Sequence, residues 1–229
     1  MSVTPVSNET ARFNMIQQQI RPWEVLDPVV LKLLSVVRRE DFVPDAYRDL
    51  AFADVEIPLR PGEAQALPGQ SMLAPRLEAR ILQELNIRNT DTVLEVGTGS
   101  GFMAALLAAK AEFVYSVEID SELADQARAN LANAGVVNVQ VETGDGAQGW
   151  PAHAPYDVIV LSASTPVLPE AVLQQLKVGG RLIAVVGEAP AMQLQCVTRV
   201  NESSFATNGV LETVLAPLVN APARKKFVF

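Results

Sequence analysis

The run Val93-Leu94-Glu95-Val96-Gly97-Thr98-Gly99-Ser100-Gly101 most narrows the folds open to this chain. A short apolar stretch, Thr92–Val96, ends in three closely spaced glycines, and an alanine- and leucine-rich helix follows at Gly101–Ala109. Glycine lets a backbone turn tightly at a strand end and approach a ligand closely. The alternation continues downstream. Phe113–Val117, Val139–Thr143, Asp157–Leu161, Arg181–Val186 and Gln195–Val200 read as strands, with helices at Ser121–Ala132 and near Glu170–Leu176. Leu211–Leu218 reads as a late edge strand interrupted at Pro217. Strands alternating with helices argue for a mostly parallel sheet covered on both faces, so the expected fold is a doubly wound α/β domain.

The section before this core reads as helical up to about Leu59. Ala11–Ile20 forms one helix, stopped before Pro22. Asp27 is a helix N-cap with Pro28 at the first helical position, and Val29, Val30, Leu33 and Leu34 form its buried stripe. Arg60–Gly69 holds Pro61, Gly62, Pro68 and Gly69, which is loop chemistry. Pro75 then opens a helix to about Leu85, with Leu77, Ile81, Leu82 and Leu85 on one face.

Charge and residue counts exclude several functions. The net charge is −8, and a field of that sign repels phosphate backbones, so nucleic acid is not an expected partner. The compact basic cluster Arg224-Lys225-Lys226 reads as a solvated tail. Cys196 and His153 are each the sole residue of their type, which leaves no internal disulfide and no metal-ligand cluster. The longest purely apolar run, Phe102–Ala109, is far too short to span a bilayer. Met1–Asn14 lacks the pattern of a secretory signal, so a cytoplasmic protein without membrane contact is expected.

The glycine loop can be tested against known ligand classes. A dinucleotide fingerprint needs a glycine at its sixth position, where this chain has Phe102. A phosphate loop needs Lys-Ser or Lys-Thr after the glycines, and neither is present. What remains is a nucleoside ligand without phosphates, or a strand–helix turn that binds nothing. Glu95 would repel a phosphate and favour a cationic ligand. Glu118 ends the next strand, 21 residues after Gly97. A carboxylate at that spacing can accept both hydroxyls of a ribose. Asp145, between Gly144 and Gly146, can accept from the amine of an adenine, although Asp-Gly is also a common turn. All three features fall at the C-terminal ends of successive strands, the edge where open α/β sheets bind ligands.

These residues resemble the S-adenosylmethionine site of class I methyltransferases, and more closely that of the protein-L-isoaspartate O-methyltransferase family. Val93–Phe102 resembles that family's first motif almost residue for residue. Gly144-Asp145-Gly146-Ala147-Gln148-Gly149-Trp150-Pro151, followed by Ala154-Pro155-Tyr156-Asp157, resembles a second stretch that is unusual outside it. Leu176–Leu182 with Val186-Gly187, and Arg39-Glu40-Asp41-Phe42-Val43-Pro44, fit two further sections. The likeness runs from about residue 10 to 220. It implies a seven-stranded Rossmann-like sheet in a single domain over 1–229, with an N-terminal helical extension and substrate loop at 1–70 and a cofactor-binding core at 71–229. It also implies S-adenosyl-L-methionine as cofactor and methyl transfer to the free carboxylate of isoaspartyl residues in damaged proteins or peptides. By motif position, Gly97, Gly99 and Gly101 would line the methionine part, Glu118 the ribose, and Asp145 and Gly146 the adenine. Glu95, Thr98, Ser100, Ile119 and Ser162 complete the implied cofactor set.

The acceptor side departs from the family. Its substrate segment usually reads Gly-Gln-Thr-Ile-Ser-x-Pro, with the serine hydroxyl at the acceptor carboxylate. Here it is Gly69-Gln70-Ser71-Met72-Leu73-Ala74-Pro75, so Leu73 stands where that serine is expected and Ser71 matches the threonine. Leucine cannot donate a hydrogen bond, and it desolvates a carboxylate set against it. Ser71 and Leu73 are thus the candidate catalytic-side residues. With the Arg60–Gly69 loop they are expected to form one acceptor wall, and Ser162–Pro166 the other. Ala147 also replaces a large aromatic. The expectation is weak isoaspartyl turnover. Two alternatives remain: a small-molecule acceptor, or a protein that binds S-adenosylmethionine without catalysis.

Overall fold

The computed structural model describes residues 7–60, 62 and 69–223. The Arg224-Lys225-Lys226 cluster and most of the Arg60–Gly69 loop lie outside the described residues. Ser7 accepts the Thr10 N–H and opens helix α1 (Asn8–Met15), which continues as a π-helical turn over Ile16–Ile20. This continuous helical stretch ends at Ile20, before Pro22 as expected. That proline sits inside a 3-10 turn, Arg21–Trp23, at a first-turn position where its missing N–H costs nothing. Asp27 caps α2 (Pro28–Val36) by accepting from the Val29 N–H at 2.7 Å. The buried stripe of α2 is narrower than its sequence suggests. Val30 and Leu34 are buried, Leu33 is half-buried, and Val29 is exposed.

Two short strands, β1 (Ile57–Pro58) and β2 (Ser71–Met72), pair antiparallel across the loop between them. Helix α3 (Pro75–Leu85) follows and buries Leu77, Ile81, Leu82 and Leu85 on one face, as its apolar spacing predicts. The core then runs β3 (Thr92–Val96), α4 (Phe102–Ala108), β4 (Phe113–Glu118), α5 (Ser121–Asn133), β5 (Val139–Thr143), β6 (Tyr156–Thr165), α6 (Glu170–Leu173), β7 (Leu176–Glu188), β8 (Ala191–Arg199) and β9 (Phe205–Glu212).

The seven strands β3–β9 form one sheet in the order β5-β4-β3-β6-β7-β8-β9. The first five are parallel, and β8 and β9 add antiparallel. Only Ala189 and Pro190 separate β7 from β8, too short a link for a crossover, so that pair must be antiparallel. The last edge strand is Phe205–Glu212, not Leu211–Leu218. Residues 205–212 follow a short turn that returns them along β8, and the chain then leaves the sheet. Pro217 has no N–H to give to a ladder and makes one isolated bridge, to Ser164.

Side chains alternate across each strand, and the two faces of the sheet carry separate cores. Val93, Val158 and Ile183 face one, together with Phe102 and Leu106 of α4. Leu94, Val96, Ile159 and Leu182 face the other. Met15, Ile20, Val30 and Leu34 belong to the first core, so the N-terminal helices pack on the same sheet as α4. From β3 the chain proceeds to β4 and β5 on one side, and it crosses back to β6 on the other. That reversal opens a crevice beyond the carboxyl end of β3.

Candidate active site

The crevice is floored by the glycine loop. Gly97 and Gly99 have φ of +95° and +54°, conformations that glycine adopts without a Cβ penalty. The loop folds back on β4, where the Gly97 N–H donates to the Val117 carbonyl at 2.8 Å and the Gly99 N–H to Glu118 Oε2 at 2.9 Å. The Asp120 N–H donates to the other carboxylate oxygen, Oε1, at 3.1 Å. Glu118 is thereby locked by two backbone donors at the mouth of the cleft, beside Ile119.

The third strand end supplies Asp145. Its Oδ1 accepts from the Ala147 N–H and its Oδ2 from Asn220 Nδ2, both at 2.9 Å. The flanking glycines are demanded by packing. A Cβ on Gly146 would lie 2.6 Å from Val96 Cγ1, and one on Gly144 would lie 2.7 Å from the Trp150 ring. The turn thus hugs β3 and turns Asp145 into the cleft, which Gly97, Gly99, Glu118, Ile119, Asp145, Gly146 and Ser162 line together.

Four expected cofactor residues stand elsewhere. Glu95 is fully buried behind the lining, with Ser116 Oγ donating to it at 2.6 Å and Ser162 Oγ at 3.1 Å. Burial pushes its carboxyl up to about 8; the two hydroxyls oppose the rise, and the Glu118 and Glu78 charges add to it. Its place here is to hold Ser162, not to face the cleft. Gly101 also sits behind. A Cβ there would meet Leu131 Cγ at 3.2 Å, so this glycine lets α4 pack on α5. Thr98 and Ser116 pair their hydroxyls at 2.6 Å, and Ser100 Oγ accepts from the Phe102 N–H at 3.3 Å. Thr98 and Ser100 border a second, smaller chamber next to the cleft, shared with Ser71, Leu73, Glu78 and Met103.

Ser71 lines both spaces and is half-buried. Leu73 is 6% exposed and belongs to the core cluster, although it borders the smaller chamber. Its carbonyl accepts from Arg39 Nη2 at 2.9 Å. Arg39 in turn donates to Glu78 Oε2 at 2.6 Å. Burial raises Glu78 to about 7, against the pull of the Arg39 charge. Both stems of the 60–69 loop reach the start of α5. Arg60 Nη2 and Gln70 Nε2 donate to Asp120 Oδ2 at 2.7 and 3.3 Å, while Oδ1 caps the helix. Of the opposite wall, Ser162 and Ala163 line the cleft, and Ser164 and Thr165 are buried beneath it.

Sequence reasoning missed the C-terminal wall. Pro217, Leu218 and Val219 line the cleft, docked by the Leu218 N–H to the Ser164 carbonyl at 2.8 Å. It also missed Arg39, Glu78 and Asp120. These contacts join residues far apart in the chain, and no local spacing marks them. The interruption at Pro217 was the one available hint that this stretch leaves the sheet.

A doubly wound sheet in this strand order, with a strand-end cleft built on a glycine loop and two acidic strand ends, is the class I methyltransferase fold. Residues 10–223 match the family model described as Protein-L-isoaspartate(D-aspartate) O-methyltransferase (PCMT), and the chain belongs to that family. A Protein-L-isoaspartate O-methyltransferase of Rhodopseudomonas palustris is 40% identical over 208 residues, spanning 90% of this chain and 92% of the relative. Protein-L-isoaspartate O-methyltransferase 2 of Pelobacter propionicus is 40% identical over 216 residues, spanning 94% and 93%. Two solved structures share the fold. One, a protein-L-isoaspartate O-methyltransferase, superposes with a TM-score of 0.77 at 24% identity over 93% of this chain and 66% of its own. A putative one from Plasmodium falciparum, in complex with S-adenosyl-L-homocysteine, gives 0.77 at 18% identity over 94% and 99%.

Proposed function

We propose that this chain transfers the methyl group of S-adenosyl-L-methionine to the free carboxylate of isoaspartyl residues in proteins and peptides. The observation that carries this reading is the cleft itself: two strand-end carboxylates and two positive-φ glycines adjoin the acceptor segment at Ser71. The cleft lining fits such a cofactor. Among the described residues it includes no Lys or Arg to hold a phosphate, and it includes two carboxylates, Glu118 and Asp145. Each carboxylate oxygen has two lone pairs, so one bond from the protein leaves room for one from a ligand. Glu118 would take the ribose hydroxyls and Asp145 the adenine edge, and Gly97 and Gly99 would let the backbone approach the methionine part. When bound, the cofactor supplies a methyl group on an electrophilic sulfonium.

The protein's own work is then alignment. An acceptor carboxylate is already ionised and nucleophilic, so no general base is needed. Ser71 would donate a hydrogen bond to it, and Leu73 would present carbon where the family has a hydroxyl. Leu73 is the observation that favours a second reading, the same chemistry on a less polar small molecule. The whole chain would act as one domain, in the cytoplasm; no helix among the described residues is long and apolar enough to cross a membrane. Methyl transfer from labelled cofactor tests the proposal, comparing an isoaspartyl peptide, its ordinary aspartyl twin and a metabolite panel. Label in the isoaspartyl peptide alone is expected. Label only in a metabolite would favour the second reading, and label in neither would contradict both.

A further inference from the structure

Arg39 and Glu78 form an ion pair at 2.6 Å with side chains 1% and 2% exposed. Neither is among the residues lining the cofactor cleft; Glu78 borders the smaller chamber beside Ser71 and Leu73, and Arg39 lines neither space. The other arm of the guanidinium, Nη2, donates to the Leu73 carbonyl at 2.9 Å. Its central carbon lies 5.3 Å from the centroid of the Phe102 ring, which Phe42 also packs against. Phe102 follows Gly101 directly and opens the helix behind the glycine loop. One side chain therefore joins the acceptor segment, α3 and the start of α4.

The acceptor segment needs such an anchor. Its strand β2 is two residues long, and the ladder with β1 ends at Met72. A two-residue pair does not hold its register alone. The bond from Arg39 falls on the next residue, Leu73. A guanidinium can reach a carboxylate and a carbonyl at once because its donors form a rigid fork, whereas a lysine ammonium is a point charge. A buried ion pair is also a poor device for stability alone, since well-packed apolar residues of similar volume often serve as well.

We infer that Arg39, held in place by Glu78, is a positioning residue that sets Ser71–Leu73 against the glycine loop and so governs acceptor binding without touching either ligand. The kinetic consequence rests on the proposed methyl transfer to isoaspartyl residues; the structural consequence does not. Arg39→Met alone leaves a buried carboxylate unpaired and is expected to unfold the protein, so the informative variant is Arg39→Met combined with Glu78→Met. That variant should keep the melting temperature and the affinity for S-adenosylhomocysteine near wild type. Amide exchange at Ser71–Leu73, measured with S-adenosylhomocysteine bound, should quicken by about ten-fold or more, the scale of losing one hydrogen bond from a charged donor. The KM for an isoaspartyl peptide should rise by about the same factor with little loss of kcat. Arg39→Lys should fall between the two. A folded double variant with unchanged exchange at Ser71–Leu73 overturns the inference, whatever the kinetics. If wild-type protein turns over no isoaspartyl peptide, the functional proposal fails, and the exchange measurement alone decides the role of Arg39.

Discussion

The two halves of the cleft are held by different means. In the cofactor half, backbone does the holding. Gly97 and Gly99 donate N–H groups to β4, Glu118 is gripped by two main-chain donors, and Asp145 closes a turn on Ala147. In the acceptor half, side chains reach across the chain, Arg39 to Leu73 and Arg60 and Gln70 to Asp120, whereas the cofactor half adds one such contact, Asn220 to Asp145, to its backbone frame. A backbone-built site depends on strand order and glycine positions, which any sequence with those features reproduces. A side-chain-built wall can be rewritten residue by residue. We propose that Leu73 and Ala147 are such rewritten positions.

The largest expected effect would break the cofactor half from behind. Burial pushes the Glu95 carboxyl up to about 8 in the folded protein from an ordinary 4.5, with no cation beside it to oppose the rise. The folded protein holds this proton more tightly than the unfolded chain, so stability falls as pH rises from about 4.5 to about 8 and levels off above. For Glu95 the loss is on the order of a few kcal/mol. Melting curves of cofactor-free protein between pH 5 and pH 9 should show a falling midpoint, and Glu95→Gln should flatten the fall. A midpoint that rises across this window would contradict the burial account.

A smaller effect sharpens the comparison at the ligand. Glu118→Ala should weaken S-adenosylhomocysteine binding by about 1–3 kcal/mol, because it removes a charged acceptor from the ribose position and frees the loop's Gly99 N–H. Calorimetry reads this directly, and unchanged affinity would remove Glu118 from the site. Smaller still is Gly101→Ala. With φ at +85° and Leu131 at 3.2 Å, it should cost about 1–2 kcal/mol in a denaturant titration. Cofactor affinity should be nearly intact, since Gly101 does not line the cleft.

The difference between the halves also explains what the sequence revealed. Helix α3 and strands β3 and β5 appear at the bounds their apolar patterns predict, Pro75–Leu85, Thr92–Val96 and Val139–Thr143. Gly97, Gly99, Glu118, Asp145 and Gly146 were legible because strand-end chemistry is local. Glu95 and Gly101 were assigned to the cleft because a motif names positions, not directions. One is buried and accepts from the hydroxyls of Ser116 and Ser162, and the other sits under α5. The last strand was misplaced because residues 205–212, with Asn208 and Gly209 at their centre, carry a weak β pattern, and pairing with β8 selects them. Arg39 and Glu78 are separated by 39 residues, and nothing in either neighbourhood announces their contact.

We propose that the cofactor half follows the family pattern while Leu73 alters the acceptor half. The direct test is steady-state methylation of an isoaspartyl peptide at saturating cofactor, comparing wild type with Ser71→Ala and Leu73→Ser. Leu73 is a core side chain, so the serine variant is expected to lose about 2–5 kcal/mol of stability and must be assayed below its melting point. Wild-type turnover should be slow, and Leu73→Ser should raise kcat/KM by about ten- to a hundred-fold, the value of one hydrogen bond to a charged group. Ser71→Ala should lower it further. Rapid wild-type turnover that the serine at position 73 does not improve would contradict the claim.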